Sequence, residues 1–125
     1  MYFEIESSDQ FKKFTSGALG CVVDFHAEWC GPCKRIAPIL EGKMSADHDL
    51  SPFILTPAQY AKNPDIKNKI LFLKVNVDNH EELSNIFNVS GIPYFVFYKR
   101  GSIQSRTVTG GDVDAVYAEV KKLLH

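Results

Sequence analysis

Cys21-Val22-Val23-Asp24-Phe25-His26-Ala27-Glu28-Trp29-Cys30-Gly31-Pro32-Cys33-Lys34 changes from one local pattern to another along its length. Its first part, Cys21 to Phe25, is short, β-branched and nearly continuously apolar, the pattern of a buried strand. Beyond the stretch, Ile36, Ile39 and Leu40 recur at helical spacing. Trp29 to Lys34 therefore lies on a strand-to-helix turn. Pro32 suits the first turn of the helix, where its missing N–H has no intrahelical partner to lose. Cys30 then stands at the helix N-terminus, where unpaired amides and the positive end of the dipole favour a thiolate.

That effect has a bounded size. A thiol of pKa about 8.5 is only a few per cent ionised at neutral pH, and lowering the pKa to about 7 raises the thiolate fraction about fifteenfold. Nucleophilicity falls with basicity by about fivefold over the same interval, so the net gain in attack rate is about threefold. Proximity adds more. Cys33, three residues on, can attack any mixed disulfide formed at Cys30 without a second molecule, and a low-pKa sulfur is also the better leaving group.

With 125 residues, 45% of them hydrophobic, the chain is about the commonest size for one domain and long enough to bury a core. A net charge of −1 argues against a nucleic-acid or membrane-surface binder working through bulk charge. Met1 to Glu6 has no basic stretch followed by an apolar core, and no apolar run approaches a membrane span, so a cytoplasmic location is expected. Three cysteines do not make a disulfide framework; an intracellular C-x-x-C beside a strand-helix-strand pattern reads as redox-active first.

In chain order, Tyr2 to Ile5 reads as an edge strand, and Ser7-Ser8-Asp9-Gln10 as a capping box before a short helix closed by Gly17 and Gly20. The central strand follows, with Val22, Asp24 and His26 on one face and Val23, Phe25 and Ala27 on the other. Asp24 is an aspartate inside an apolar strand. Either it reaches water near the strand end, or it is a buried carboxyl of raised pKa exchanging protons with a nearby thiol. The second helix carries Ile36, Leu40 and Met44, should kink at Pro38, and has Gly42 as an early end. Residues 44–69 are the least regular part, broken by Pro52 and Pro64, with a short helix capped by Thr56 and running to Lys62. Ile70 to Val77 is the next buried strand, with Lys74 its odd member. Asn79 and Glu82 then cap a helix with Leu83, Ile86 and Phe87 inward. Tyr94 to Tyr98 and a more polar strand ending near Val108 make an antiparallel hairpin, and Asp112 caps a last helix with Val113, Val116, Tyr117, Val120 and Leu124 inside. The order βαβαβ followed by ββα predicts an α/β fold, a mixed central sheet flanked by helices on both faces, over a single domain 1–125 with an insertion at about 44–69.

Phe25-His26-Ala27-Glu28-Trp29-Cys30-Gly31-Pro32-Cys33-Lys34, followed by Ala37-Pro38-Ile39-Leu40, resembles the active-site segment of the thioredoxin family almost residue for residue. The resemblance covers the chain except 44–69. It places Asp24 on the family's buried aspartate, Lys74 on the strand lysine near it, and Gly91-Ile92-Pro93 on the loop whose proline is cis and faces the cysteines. Gly101 and Gly110 fall on family glycines. It implies a thioredoxin fold and a dithiol-disulfide oxidoreductase that reduces protein disulfides. Catalysis would use Cys30, Cys33, Asp24 and Lys74; substrate would bind at Trp29, Gly31, Pro32, Ile92 and Pro93. No cofactor is bound on this reading, and electrons come from NADPH through a separate thioredoxin reductase. Partners are disulfide-containing proteins and that reductase, with neither nucleic acid nor membrane, and the chain is expected to be a monomer in the service of cell redox homeostasis and electron transport.

The chain departs from the family at His26, where an aromatic or small residue is usual, at Tyr94 after the proline, and in the loop before Ile70, about twenty residues too long. His26 reads as a partly buried spacer, with pKa tuning as the alternative. Cys21 reads as a small buried hydrophobe. His48, His80 and His125 lack metal-ligand spacing relative to the cysteines, so no metal site is expected. Three other functions compete with reduction: disulfide isomerisation or oxidation, which usually has a histidine between the cysteines; a redox-linked binding module; and a C-x-x-C metal knuckle lacking two ligands.

Overall fold

Strand β2 (Gly20–His26) is buried at every position, and the sheet is assembled around it. The computed structural model describes residues 1–125. On one side β2 pairs in parallel with β3 (Ile70–Asn76), which pairs in parallel with the edge strand β1 (Tyr2–Glu4). On the other side β4 (Tyr94–Lys99) runs antiparallel to β2 and carries β5 (Ser102–Ile103) and β6 (Val108–Thr109), both antiparallel. Helix α1 (Ser8–Gly17) and α4 (Glu81–Ile86) cover one face, burying Phe11, Phe14 and Leu83 against Val23, Phe25 and Leu73. Helix α2 (Gly31–Ala46) and α5 (Val113–Lys122) cover the other, with Ile36, Leu40, Met44, Val116 and Val120 against Val22, Phe72 and Phe97. This is the thioredoxin fold. None of these helices is long and apolar enough to cross a membrane.

Several local expectations change. Gly42 does not end α2: it lies on the solvent side, and the helix continues to bury Met44. A glycine costs a helix about 1 kcal/mol, less than burying a methionine gains. Ile39 and Ile86 face solvent, because the apolar stripes next to them already fill the contact with the sheet. Helix α4 begins after His80, not Asn79, and has no side-chain cap. The hairpin turns at Arg100-Gly101, both at positive φ as a type I′ turn requires, but its second strand breaks. Between the pairs Tyr98–Ile103 and Phe95–Val108, β4 advances three residues and its partner five. Gln104 to Thr107 offers no buried alternation to hold register there.

Residues 44–69 pack on the body of the protein. Leu50 and Leu55 are fully or almost fully buried, one in each core, and Tyr60 stacks edge-on against Phe3 and Phe14. Phe53, by contrast, is partly exposed. The Thr56 capping box and α3 (Pro57–Lys62) form with the expected bounds. Ile54 bridges to Ile70 at the start of β3, whereas the cysteines follow the other end of β2, where His26 pairs with Asn76. Six steps of strand separate the two ends, about 20 Å. Leu50→Ala is therefore expected to lower stability by about 2–5 kcal/mol in urea unfolding while leaving the redox potential of the folded protein unchanged. A shifted potential would show that residues 44–69 reach the cysteines.

Candidate redox site

The turn after β2 brings Cys30 and Cys33 together as a disulfide, with Cα atoms 5.3 Å apart. Cys30 is the N-cap of α2, and its Sγ accepts a hydrogen bond from the Cys33 N–H at 3.2 Å. That bond and the N-terminal end of the sixteen-residue helix put partial positive charge beside the Cys30 sulfur. Exposure does not separate the two cysteines, since they are 4% and 6% accessible. The cap position separates them. Beside the pair, Trp29 is 71% exposed and donates from Nε1 to Asp78 at 2.9 Å.

Opposite the disulfide the Ile92–Pro93 peptide bond is cis, and Ile92 packs against Cys30, Cys33 and Ala27. Neither the N–H nor the carbonyl of Ile92 has a hydrogen-bond partner within the chain. Trp29, Val77, Ser84, Val89 and Ile92 line a groove of about 170 Å³ at this edge. A small apolar floor beside free backbone polar groups suits an extended peptide.

Under the other face lies a polar cluster. Asp24 is 1% accessible and its Oδ1 has no hydrogen-bond partner. Burial pushes its pKa up to about 7, against the opposing pull of Lys74 and the Tyr2 hydroxyl. Glu4, Lys74 and Asp24 are consecutive partners across β1, β3 and β2, so the three side chains share one face. Tyr2, two positions from Glu4, holds the Lys74 ammonium over its ring at 5.4 Å, and burial with the Asp24 charge drives its hydroxyl well above the usual phenol range. Cys21 is also buried, donates to the Phe14 carbonyl, and has its thiol pushed up to about 12. It is no nucleophile in this setting. No three His, Cys, Asp or Glu side chains meet in a way that could hold a metal ion.

Comparison with known proteins decides what this arrangement is. The family profile described as Thioredoxin matches residues 3–122. The chain belongs to the thioredoxin family. Thioredoxin from Malassezia sympodialis is 37% identical over 116 residues, 93% of this chain and 92% of that protein. Thioredoxin from Neurospora crassa is 32% identical over 123 residues, 95% of this chain and 84% of that protein. The crystal structure of Malassezia sympodialis thioredoxin superposes with a TM-score of 0.72 at 35% identity, covering 99% of this chain and 94% of that one. As a thioredoxin-family member the protein is a dithiol-disulfide oxidoreductase acting on protein disulfides through Cys30 and Cys33.

Within this thioredoxin fold, Trp29, Gly31, Pro32, Ile92 and Pro93 gather at the disulfide edge, while Asp24 and Lys74 lie on the α2 face of the sheet. Sequence reasoning missed Val77, Asp78, Ser84 and Val89 around Trp29, and Tyr2 and Glu4 around Asp24. The second pair carried no local signal. It depends on β1 pairing with β3, some seventy residues away in sequence.

Proposed function

We propose that the protein is a general dithiol reductant of protein disulfides in which Cys30 attacks and Cys33 resolves. The carrying observation is the Cys30 sulfur at the α2 N-cap, accepting the Cys33 N–H. The thiolate of Cys30 attacks one sulfur of the substrate disulfide and expels the other as a thiolate; Cys33, deprotonated, then attacks Cys30 and releases the second substrate sulfur. Two electrons pass from the dithiol to the substrate. Asp24 takes the Cys33 proton, with Lys74 moderating the carboxyl's pKa. Trp29, Gly31, Pro32, Ile92 and Pro93 hold the substrate, whose main chain pairs with the free N–H and carbonyl of Ile92 like an added strand. The pair is re-reduced by NADPH through a separate thioredoxin reductase, no cofactor is bound, and the protein works as a cytoplasmic monomer in electron transport and cell redox homeostasis.

A redox titration of the Cys30–Cys33 pair, joined to an NADPH-coupled insulin-reduction assay, tests this reading. A potential near about −270 mV with NADPH-dependent turnover is expected; one near about −180 mV would make the protein an isomerase or oxidant, a difference of roughly 4 kcal/mol.

A further inference from the structure

Cys33 opens onto a cleft of about 170 Å³ whose other walls are Glu4, His26, Ala27, Glu28, Lys34 and Lys74. Asp24 is not among them. The imidazole of His26 is 8% accessible, its Nε2 is buried without a hydrogen bond, and it lies 3.7 Å from a Glu4 carboxylate oxygen. The Glu4 side chain is 55% accessible, so the pair runs from the interior of the cleft to its mouth. A base, a carboxylate and room for water connect Cys33 with solvent.

We propose that His26, beside Glu4, provides a second, water-mediated route by which the Cys33 proton can leave the pocket, in parallel with direct uptake by Asp24. This rests on the resolving role of Cys33 proposed above and adds a second base to Asp24. On this route the Cys33 S–H, in the resolving step, gives its proton through water in the cleft to the neutral imidazole. The Cys33 sulfur then bonds to the Cys30 sulfur, the Cys30–substrate S–S bond breaks, and the substrate leaves as a thiolate that is protonated from solvent. The imidazolium is stabilised by Glu4 and returns its proton to water at the cleft mouth. Every charged group facing the imidazole enters this balance. Glu4 from β1 and Glu28 from the turn after β2 favour the imidazolium; Lys74 from β3 and burial oppose it, leaving the pKa below the usual histidine value. Lys34 from α2 lines the same cleft and opposes it too, whereas Asp24, two residues back on β2, favours it once ionised. Neutral at pH 7, the ring is in the form that accepts a proton.

The test uses the full chain in its dithiol form with 5,5′-dithiobis(2-nitrobenzoate), which releases one coloured thiolate as Cys30 attacks and a second as Cys33 resolves. His26→Gln is expected to slow the second release about fivefold between about pH 6 and 7 and to converge on the parent at strongly alkaline pH, where hydroxide can take the proton directly. Glu4→Gln should give a smaller loss over the same range. A His26→Gln profile that overlays the parent, or one lowered equally at every pH, overturns the proposal. Should that variant fail to fold, the His26 ring titrated by NMR in the parent must show different pKa values in the disulfide and dithiol forms; equal values overturn it as well. Cys33→Ser run alongside separates the two readings: if it still gives the second release, the assignment of Cys33 has failed, not the role of His26.

Discussion

Cys33→Ser is expected to stop the reaction halfway, leaving Cys30 covalently joined to substrate proteins and lowering turnover at least about a thousandfold. The resolving thiol is three residues from the attacked sulfur, with Cα atoms 5.3 Å apart, so it acts at an effective concentration far above any free thiol in the assay. Serine keeps the fold and the helix but supplies no sulfur. The adduct should survive on a non-reducing gel and run at the summed mass of the two partners in mass spectrometry. Cys30→Ser should give no adduct at all, because Cys33 lacks the N-cap position that stabilises a thiolate. Adducts at Cys33 in that variant, or turnover by Cys33→Ser within tenfold of the parent, would reverse the order of attack.

Asp24→Asn should raise stability at alkaline pH and slow turnover near neutrality. The carboxyl is raised in the folded protein from an ordinary value near 3.8 to about 7, chiefly by burial. Its folded pKa exceeds its unfolded one, so its contribution to stability is fully present below about pH 4 and is lost as pH rises through about 7. At about 1.4 kcal/mol per pKa unit, the ionised carboxylate costs the fold roughly 4 kcal/mol above that pH. The asparagine variant, which cannot ionise, should therefore melt about 10–15 °C above the parent at pH 8 and match it near pH 4. Loss of the base should slow insulin reduction about tenfold near pH 7. A variant that melts lower at pH 8 and turns over at the parent rate would assign Asp24 a structural role.

Much of this was legible in one stretch of chain. The apolar run from Cys21, the proline in the first helical turn and the spacing Cys30-x-x-Cys33 act within a few residues, through sterics and helix-end electrostatics, so strand, turn, helix and paired thiols can be read without knowing what surrounds them. The Thr56 capping box is equally local, and α3 follows it with the expected bounds. Register along β5 and β6, by contrast, could not be read, because Gln104 to Thr107 buries nothing that would penalise a slip.

Ile39 and Ile86 show the first limit of local pattern, since an apolar residue at helical spacing is buried only where another element arrives to cover it. Asp24 shows the second. Its place on an apolar strand marked it, but the groups that set its charge come from three strands brought into register: Tyr2 and Glu4 on β1, Lys74 on β3, and its own β2. By itself the sequence determined the pair of thiols, the turn that carries them and the helix that follows, because those interactions span a single turn of chain. Only the tertiary structure decided which groups surround the pair, because Glu4, His26 and Cys33 line one cleft solely through the pairing of distant strands, and both desolvation and charge–charge interaction depend on that arrangement in space.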